Sequence, residues 1–156
     1  MKKAILCDID GCLFDTSKIW AEINLLFIPD FEPERKWNYF EERANDISYS
    51  RVNPIIAEQL DLFARMGYKI IFSTARSEKI RIGTENRINM EVSFPYELLM
   101  RPINNTFPAW KLKKLHYEVM KNRYDIKLAI DDEYDNLVMY ANEGVFTLAV
   151  CTPRLF

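Results

Sequence analysis

The sequence predicts an α/β fold on a central parallel sheet, and three observations carry that expectation. Short apolar runs recur along the chain, segments of helical period separate them, and several runs end on polar, mostly acidic residues. The runs with the character of buried strands are KAILCD (3–8), YKIIFST (68–74), IKLAID (126–131) and VFTLAV (145–150), with YELLM (96–100) a fifth candidate. Strand 3–8 leads directly into CDIDGCLFD, where Asp8 and Asp10 flank one residue and a glycine follows.

The segment 16–51 does not fit the alternation. It holds an expected helix over 18–27, a break marked by Pro29 and Pro33, and an aromatic cluster of Trp37, Tyr39 and Phe40. It is too long for a simple crossover and reads as a small helical insertion beside the carboxyl end of the first strand, a partial lid. Next comes NPIIAEQLDLFARMG, with Asn53 as N-cap, Pro54 in the first turn, Ile55, Ile56, Leu60 and Phe63 on one face, and Gly67 as the stop. After the strand candidates 68–74 and 96–100, AWKLKKLHYEVMKN places Leu112, Leu115 and Val119 on one stripe with the lysines off it. Following strand 126–131, EYDNLVMYANEG turns Tyr134, Leu137, Val138 and Ala141 inward and stops at Gly144.

At 156 residues, 49% hydrophobic and 28% charged, the chain has the size and composition of one soluble globular domain, 1–156. A net charge of −2 argues against a protein that grips nucleic acid mainly through a basic surface, since backbone binding draws on many Lys and Arg contacts. Cys7, Cys12 and Cys151 are odd in number and lack metal spacing, so they read as reduced thiols of a cytoplasmic protein. The opening apolar stretch is broken by acids after a few positions, which fits neither a signal peptide nor a membrane span. Four glycines supply no Gly-rich phosphate loop, which excludes an ATP-dependent kinase of that type. No obligate protein partner is evident.

In an open α/β sheet, ligands bind beyond the carboxyl ends of the strands. The residues that end the runs are Asp8 with Asp10, Ser73 and Thr74 followed by Arg76, and Asp131 with Asp132, so all are expected along one edge. Two ionised carboxylates about 4 Å apart repel by roughly 4 kcal/mol at an effective dielectric of about 20. A positive species between them is therefore expected, and a hard cation that prefers oxygen ligands and substrate phosphate, such as Mg²⁺, fits best. Taken singly, Asp10-Gly11 is ordinary turn chemistry, Thr74 can cap a helix, and Asp131 and Asp132 can serve a helix N-terminus. Those readings do not explain why all of them follow strand-like runs in this order.

These residues resemble the motifs of the haloacid dehalogenase superfamily of phosphatases: DIDGCLFD its first, IIFSTAR its second, Lys111 its third and LAIDDEYDN its fourth. Within it, VNPIIAEQL, STAR and DIKLAIDD resemble the 3′-phosphatase domain of bacteriophage polynucleotide kinase. The resemblance implies a Rossmann-like three-layer sandwich with a cap-like insertion, an Mg²⁺ cofactor and a phosphomonoester substrate, either a phosphorylated nucleic-acid end or a nucleotide. It implies that Asp8 is the nucleophile and that Asp10 is the acid and base, a role in which its carboxyl holds a proton near neutrality. Thr74, with Ser73 as the adjacent alternative, would bind phosphoryl oxygens, Arg76 would clamp phosphate, and Lys111, or else Lys113 or Lys114, would offset charge. Asp131 would ligate the metal with Asp8 and the Asp10 carbonyl, supported or replaced by Asp132. Trp37 or Tyr39 would stack a base.

Three departures stand out. Cys12 occupies a position that usually holds Thr or Val, RPINNTFPAW lacks the charged residues of the phage domain's loop, and the insertion is longer. A 5′-nucleotidase or small-metabolite phosphatase, and a non-catalytic module binding phosphorylated ligands, are the competing readings.

Overall fold

The computed structural model describes residues 1–26 and 33–151. In chain order the elements are β1 (Lys2–Cys7), β2 (Phe14–Asp15), α1 (Ser17–Leu26), α2 (Pro33–Arg43), β3 (Arg51–Val52), α3 (Pro54–Arg65), β4 (Lys69–Ser77), α4 (Arg81–Asn89), β5 (Tyr96–Arg101), α5 (Ala109–Met120), β6 (Tyr124–Asp131), α6 (Tyr134–Asn142) and β7 (Phe146–Ala149), with a 3₁₀ turn over Glu78–Ile80. The main sheet runs β5-β4-β1-β6-β7, and every neighbouring pair is parallel. All five strand candidates are present and β1 lies at the centre, but β7 at the sheet edge is exposed along its length, so VFTLAV is an edge strand and not the buried one expected.

The central place of β1 accounts for its unbroken apolar run. Ile5 and Cys7 pack with Ile56 and Leu60 of α3 and Ile88 of α4, while Ala4 and Leu6 pack with Tyr117 and Met120 of α5 and Met139 and Tyr140 of α6. Helices therefore cover both faces, the three-layer arrangement. Each fully buried Ile or Leu contributes about 1.5–3 kcal/mol.

Helix α3 starts as its sequence dictates, with the Asn53 side chain accepting from Ile55 N and Ile56 N and Pro54 at the first turn. Gly67 ends it at φ +89, where only glycine rests without strain. Its inward face is narrower than expected: Ile56 and Leu60 are buried, but Ile55 is 63% exposed because it lies about 100° around the helix from Ile56. The faces of α5 and α6 are rotated from the hydropathy expectation. Leu115, Val119, Tyr134 and Val138 point outward, while Lys113, His116 and Asn136 point inward. Buried polar partners, described below, draw these residues in. Helix α4, whose RIGTENRIN sequence has little apolar periodicity, is an addition to the expected elements.

The insertion contains two helices. Helix α1 covers most of the span expected over 18–27, position 27 and Pro29 lie outside the described residues, and Pro33 opens α2 instead of merely breaking the chain. Their shared core is Ile19, Ile23, Phe40 and Ala44, flanked by Trp20, Tyr39 and Tyr49. The antiparallel pair β2 and β3 closes the base of the insertion beside the end of β1. Among the described residues no helix is long and apolar enough to cross a membrane. The three cysteines are free thiols, Cys7 and Cys12 buried and Cys151 exposed.

Candidate active site

A cleft of ≈ 610 Å³ opens at the carboxyl ends of β1, β4 and β6, between the sheet and the insertion. Its floor begins where β1 ends. Asp8 N donates to Ile130 O at 2.9 Å, which pins the residue beside β6. The chain then turns tightly, with Gly11 at φ +82. Glycine is required there twice over, because a Cβ would also lie 2.1 Å from Asp132 Oδ2.

Lys113 joins the two ends of the sequence. Its Nζ lies 2.9 Å from Asp8 Oδ1 and 2.6 Å from Asp131 Oδ2, and all three residues are buried. It, and not Lys111, is the lysine in the site. Lys113 shares its helix face with Tyr117 and Met120, four and seven residues on, and that face meets the sheet. Lys111 is exposed, its Nζ 4.2 Å above the Phe107 ring, and Lys114 pairs with Glu143 at 2.8 Å.

Asp131 and Asp132 divide their tasks. Asp131 Oδ1 accepts from Glu133 N and Asn136 Nδ2, both at 3.0 Å, while its Oδ2 takes Lys113. Every one of these partners is a donor, so Asp131 anchors the lysine and the start of α6. Asp132 instead opens to the cleft, with a carboxylate oxygen that lies, like the Cys12 Sγ, within 4.8 Å of Asp8. No cation stands within ion-pair distance of Asp132 among the described residues.

Arg76 is buried, and its five hydrogen bonds occupy the whole guanidinium. Nε donates to Asp10 Oδ2 at 2.9 Å and Nη2 to Asp10 Oδ1 at 2.7 Å, a two-pronged grip; Nη2 also reaches Ala44 O at 3.2 Å, and Nη1 reaches Asn45 Oδ1 at 2.7 Å and Thr84 Oγ1 at 3.4 Å. This corrects the phosphate-clamp expectation, since no N–H remains for a substrate. Thr74 lines the cleft, and its Oγ1 accepts from Arg76 N at 3.1 Å, which leaves its O–H able to donate. Ser73 alternates to the other side of β4, where its Oγ lies 2.8 Å from His116 Nδ1, so it is not at the site.

The aromatic wall also differs from expectation. Trp37 and Phe40, three residues apart on α2, line the cleft together with Trp20 of α1, and Trp20 stacks on Phe40 at 5.1 Å and meets Trp37 edge-on at 5.7 Å. Tyr39 lies on another face of α2: its hydroxyl donates to Glu22 Oε2 at 2.6 Å and Arg43 covers its ring. Trp20 and Asn45 escape sequence reading because their partners are distant in sequence.

Charge on the floor is unbalanced. Burial pushes Asp8 well up from the usual carboxylate range, opposed by Lys113 and reinforced by Asp131, Asp10 and Asp132. Burial alone would lower Lys113, but Asp8 and Asp131 outweigh it and hold it well above the ordinary lysine value. The two shifts differ in kind because the lysine gains two anions, while Asp8 gains one cation and faces three carboxylates. Asp132 is pushed up to about 6, first by burial and then by Asp131, with a hydrogen bond to Asp8 acting the other way. A dication is what this excess of carboxylate would accommodate, and the hard oxygens of Asp8 and Asp132 suit Mg²⁺. Cys12, raised by burial, stays a thiol and is no ligand for a hard ion.

Behind the floor, His116 fixes its own tautomer. Met100 O, 3.3 Å from Nε2, can only accept, so Nε2 carries the proton and Nδ1 accepts from Ser73. Burial, first among the causes, depresses His116 to about 4 from 6.5. The unfolded chain therefore takes up a proton there at higher pH than the folded one. This contribution to stability is complete above 6.5 and is lost as pH falls toward 4. The loss is about 3 kcal/mol, at roughly 1.4 kcal/mol per pH unit. Denaturant unfolding at a series of pH values is expected to show it, and His116→Gln is expected to flatten the profile in that window.

The sheet order and the insertion after the first strand give a fold like that of haloacid dehalogenase-like hydrolases. Among solved structures, the chain is similar to one in the Pnkp1/Rnl/Hen1 RNA repair complex, at 23% identity and a TM-score of 0.72 over 96% of this chain and 42% of that one. It is also similar to a class C acid phosphatase from Bacillus anthracis (15% identity, TM-score 0.65, 94% of this chain and 66% of that one) and to a haloacid dehalogenase-like family hydrolase from Streptococcus pneumoniae (14%, 0.62, 95% and 84%). The chain thus spans under half the length of the RNA-repair chain. No protein-family model and no curated protein matches the sequence.

Proposed function

We infer that the chain is an Mg²⁺-dependent phosphomonoesterase that forms an aspartyl-phosphate on Asp8, with a 3′-phosphorylated nucleic-acid end or a nucleotide as substrate. The observation that carries this reading is the single ammonium of Lys113 shared by Asp8 and Asp131, on the floor of a cleft that also presents Asp10, Thr74 and Asp132.

An Asp8 oxygen attacks phosphorus, the P–O ester bond breaks, and the departing alkoxide takes a proton from Asp10. Water then attacks the phosphorus of the acyl phosphate and gives a proton to Asp10, releasing inorganic phosphate and restoring the Asp8 carboxylate. Arg76 occupies one lone pair on each Asp10 oxygen, and a carboxyl has others to carry the proton. Thr74 O–H and Lys113 donate to the phosphoryl group, the preorganised electrostatics on which such transfers depend. Asp8, Asp132 and the Asp10 carbonyl would hold Mg²⁺, with Asp132 replacing Asp131, whose oxygens accept from Lys113, Glu133 N and Asn136; when bound, the ion neutralises charge on the transferring group.

The wall of Trp20, Trp37 and Phe40 supports a substrate with a planar ring. Among the described residues the two cations lining the cleft, Arg76 and Lys113, are both committed to carboxylates. That favours recognition by stacking over a grip on further phosphates. The likeness to a chain of an RNA repair complex supports a nucleic-acid end.

Phosphate release from a 3′-phosphorylated oligonucleotide, nucleoside 3′- and 5′-monophosphates and glycerol phosphate, with Mg²⁺ and with chelator, tests the reading. Metal-dependent release is expected, fastest from the oligonucleotide or the 3′-nucleotide. Preference for the 5′-nucleotide or for glycerol phosphate would substitute a nucleotidase or metabolite phosphatase, and binding without release would leave a phospho-ligand module. Trp20→Ala is expected to raise KM for the nucleotide substrate by about 5–100-fold, as loss of one stacking contact does. It is expected to leave glycerol phosphate unchanged.

A further inference from the structure

We propose that Asn45, just beyond α2, is a positioning residue for Asp10, acting through the guanidinium of Arg76. The inference rests on Asp10 being the acid and base of the reaction described above. The only ion pair of Asp10 among the described residues is with Arg76, and the orientation of that fork is set from behind. Its three rear contacts are Asn45 Oδ1 at 2.7 Å, Ala44 O at 3.2 Å and Thr84 Oγ1 at 3.4 Å, of which the Asn45 bond is the shortest. A guanidinium is planar, so an acceptor that holds Nη1 also fixes the plane in which Nε and Nη2 meet the carboxylate.

Asn45 packs against Gly83. Gly83 on α4 leaves the room its amide occupies, since a Cβ there would lie 2.8 Å from Asn45 Nδ2 and 3.4 Å from its Cγ. The same stretch of chain bears Trp37 and Phe40 on the cleft wall and, one turn further, Ala44 and Asn45 on Arg76. Helix α2 and the turn that follows it thus form the wall where substrate rests and, through Arg76, support the group that gives the proton.

A misplaced acid slows only a transfer whose leaving group needs the proton. The ratio kcat/KM reports events up to transfer onto Asp8, and 4-nitrophenolate departs unprotonated whereas a ribose alkoxide does not. Asn45→Ala is therefore expected to lower kcat/KM for a nucleoside 3′-monophosphate by about tenfold or more, a part of the roughly 10²–10⁴-fold that a positioned acid supplies. With 4-nitrophenyl phosphate the change is expected to stay within about twofold, because that step draws little on the acid. Asn45→Asp keeps the acceptor for Arg76 and is expected to restore the lost rate.

Gly83→Ala provides an independent route. Alanine favours the helix, which offsets part of the cost of the close approach, and its methyl displaces the Asn45 amide, 2.8 Å away at Nδ2, so it is expected to impose the same split between the two esters. Equal losses on both esters, or none on either, in variants that melt like the parent would overturn the proposal. If Gly83→Ala alone folds, its split decides. Failure of the functional reading looks different: the parent chain would then release phosphate from neither ester.

Discussion

Asp8→Asn is expected to reduce phosphate release by on the order of 10⁴–10⁶-fold, the range seen when a nucleophile is removed from a unit that works together. The amide cannot attack phosphorus at a useful rate, and it removes one of the acids beside the candidate metal position. The variant is expected to fold. Burial already disfavours the ionised Asp8, and neutralising it leaves Lys113 paired to Asp131 at 2.6 Å. An unchanged or raised melting temperature beside a lost activity would assign the defect to chemistry. Parent-like turnover in a well-folded Asp8→Asn protein would remove Asp8 from the nucleophile role.

Lys113→Met is expected to damage both stability and turnover. Lys113 is 2% exposed and serves two buried carboxylates, so removing it strands Asp8 and Asp131 without their cation. Breaking a buried pair from one side costs about 3–5 kcal/mol. For a domain of this length the corresponding fall in melting temperature is about 10 °C, at roughly 2–4 °C per kcal/mol. Activity, measured well below that temperature, is expected to fall by about 10²–10³-fold, as for other lost electrostatic donors. Lys111→Met provides the contrast. It removes an exposed ammonium that rests on Phe107, and both properties are expected to stay near those of the parent, within about 0.5 kcal/mol for stability. Thermal melts and phosphate release on the two variants together test which lysine belongs to the site.

Much of the frame was legible because it depends on local pattern. A strand buried on both faces needs a continuous apolar run, and KAILC, KIIF and LAI meet that need, with the acids or hydroxyls that follow them left at the sheet edge. What hydropathy could not give was the rotation of α5 and α6. Their inward faces include Lys113 and Asn136, both held by Asp131, so a polar partner and not apolar periodicity sets the phase. KLKK therefore offers three lysines that composition cannot separate.

The role of Arg76 was hidden for a similar reason. A planar fork beside a catalytic motif suits phosphate and carboxylate equally well. Only the fold reveals that Asp10, Asn45, Ala44 and Thr84 consume all of its donors. Trp20 takes the place expected for Tyr39 because α1 packs against α2. Which aromatic faces the cleft depends on that packing, and Glu22 captures the Tyr39 hydroxyl.

The covalent step on Asp8 is the claim on which the functional account stands. Quenching the enzyme during turnover, reducing it with borohydride and mapping the product by peptide mass spectrometry tests that step directly. Homoserine is expected at position 8, formed only when phosphomonoester and Mg²⁺ are both present. An enzyme that turns over under the same conditions yet yields homoserine at another aspartate or a reduced glutamate, or yields neither with a control acyl phosphate trapped in parallel, would contradict it.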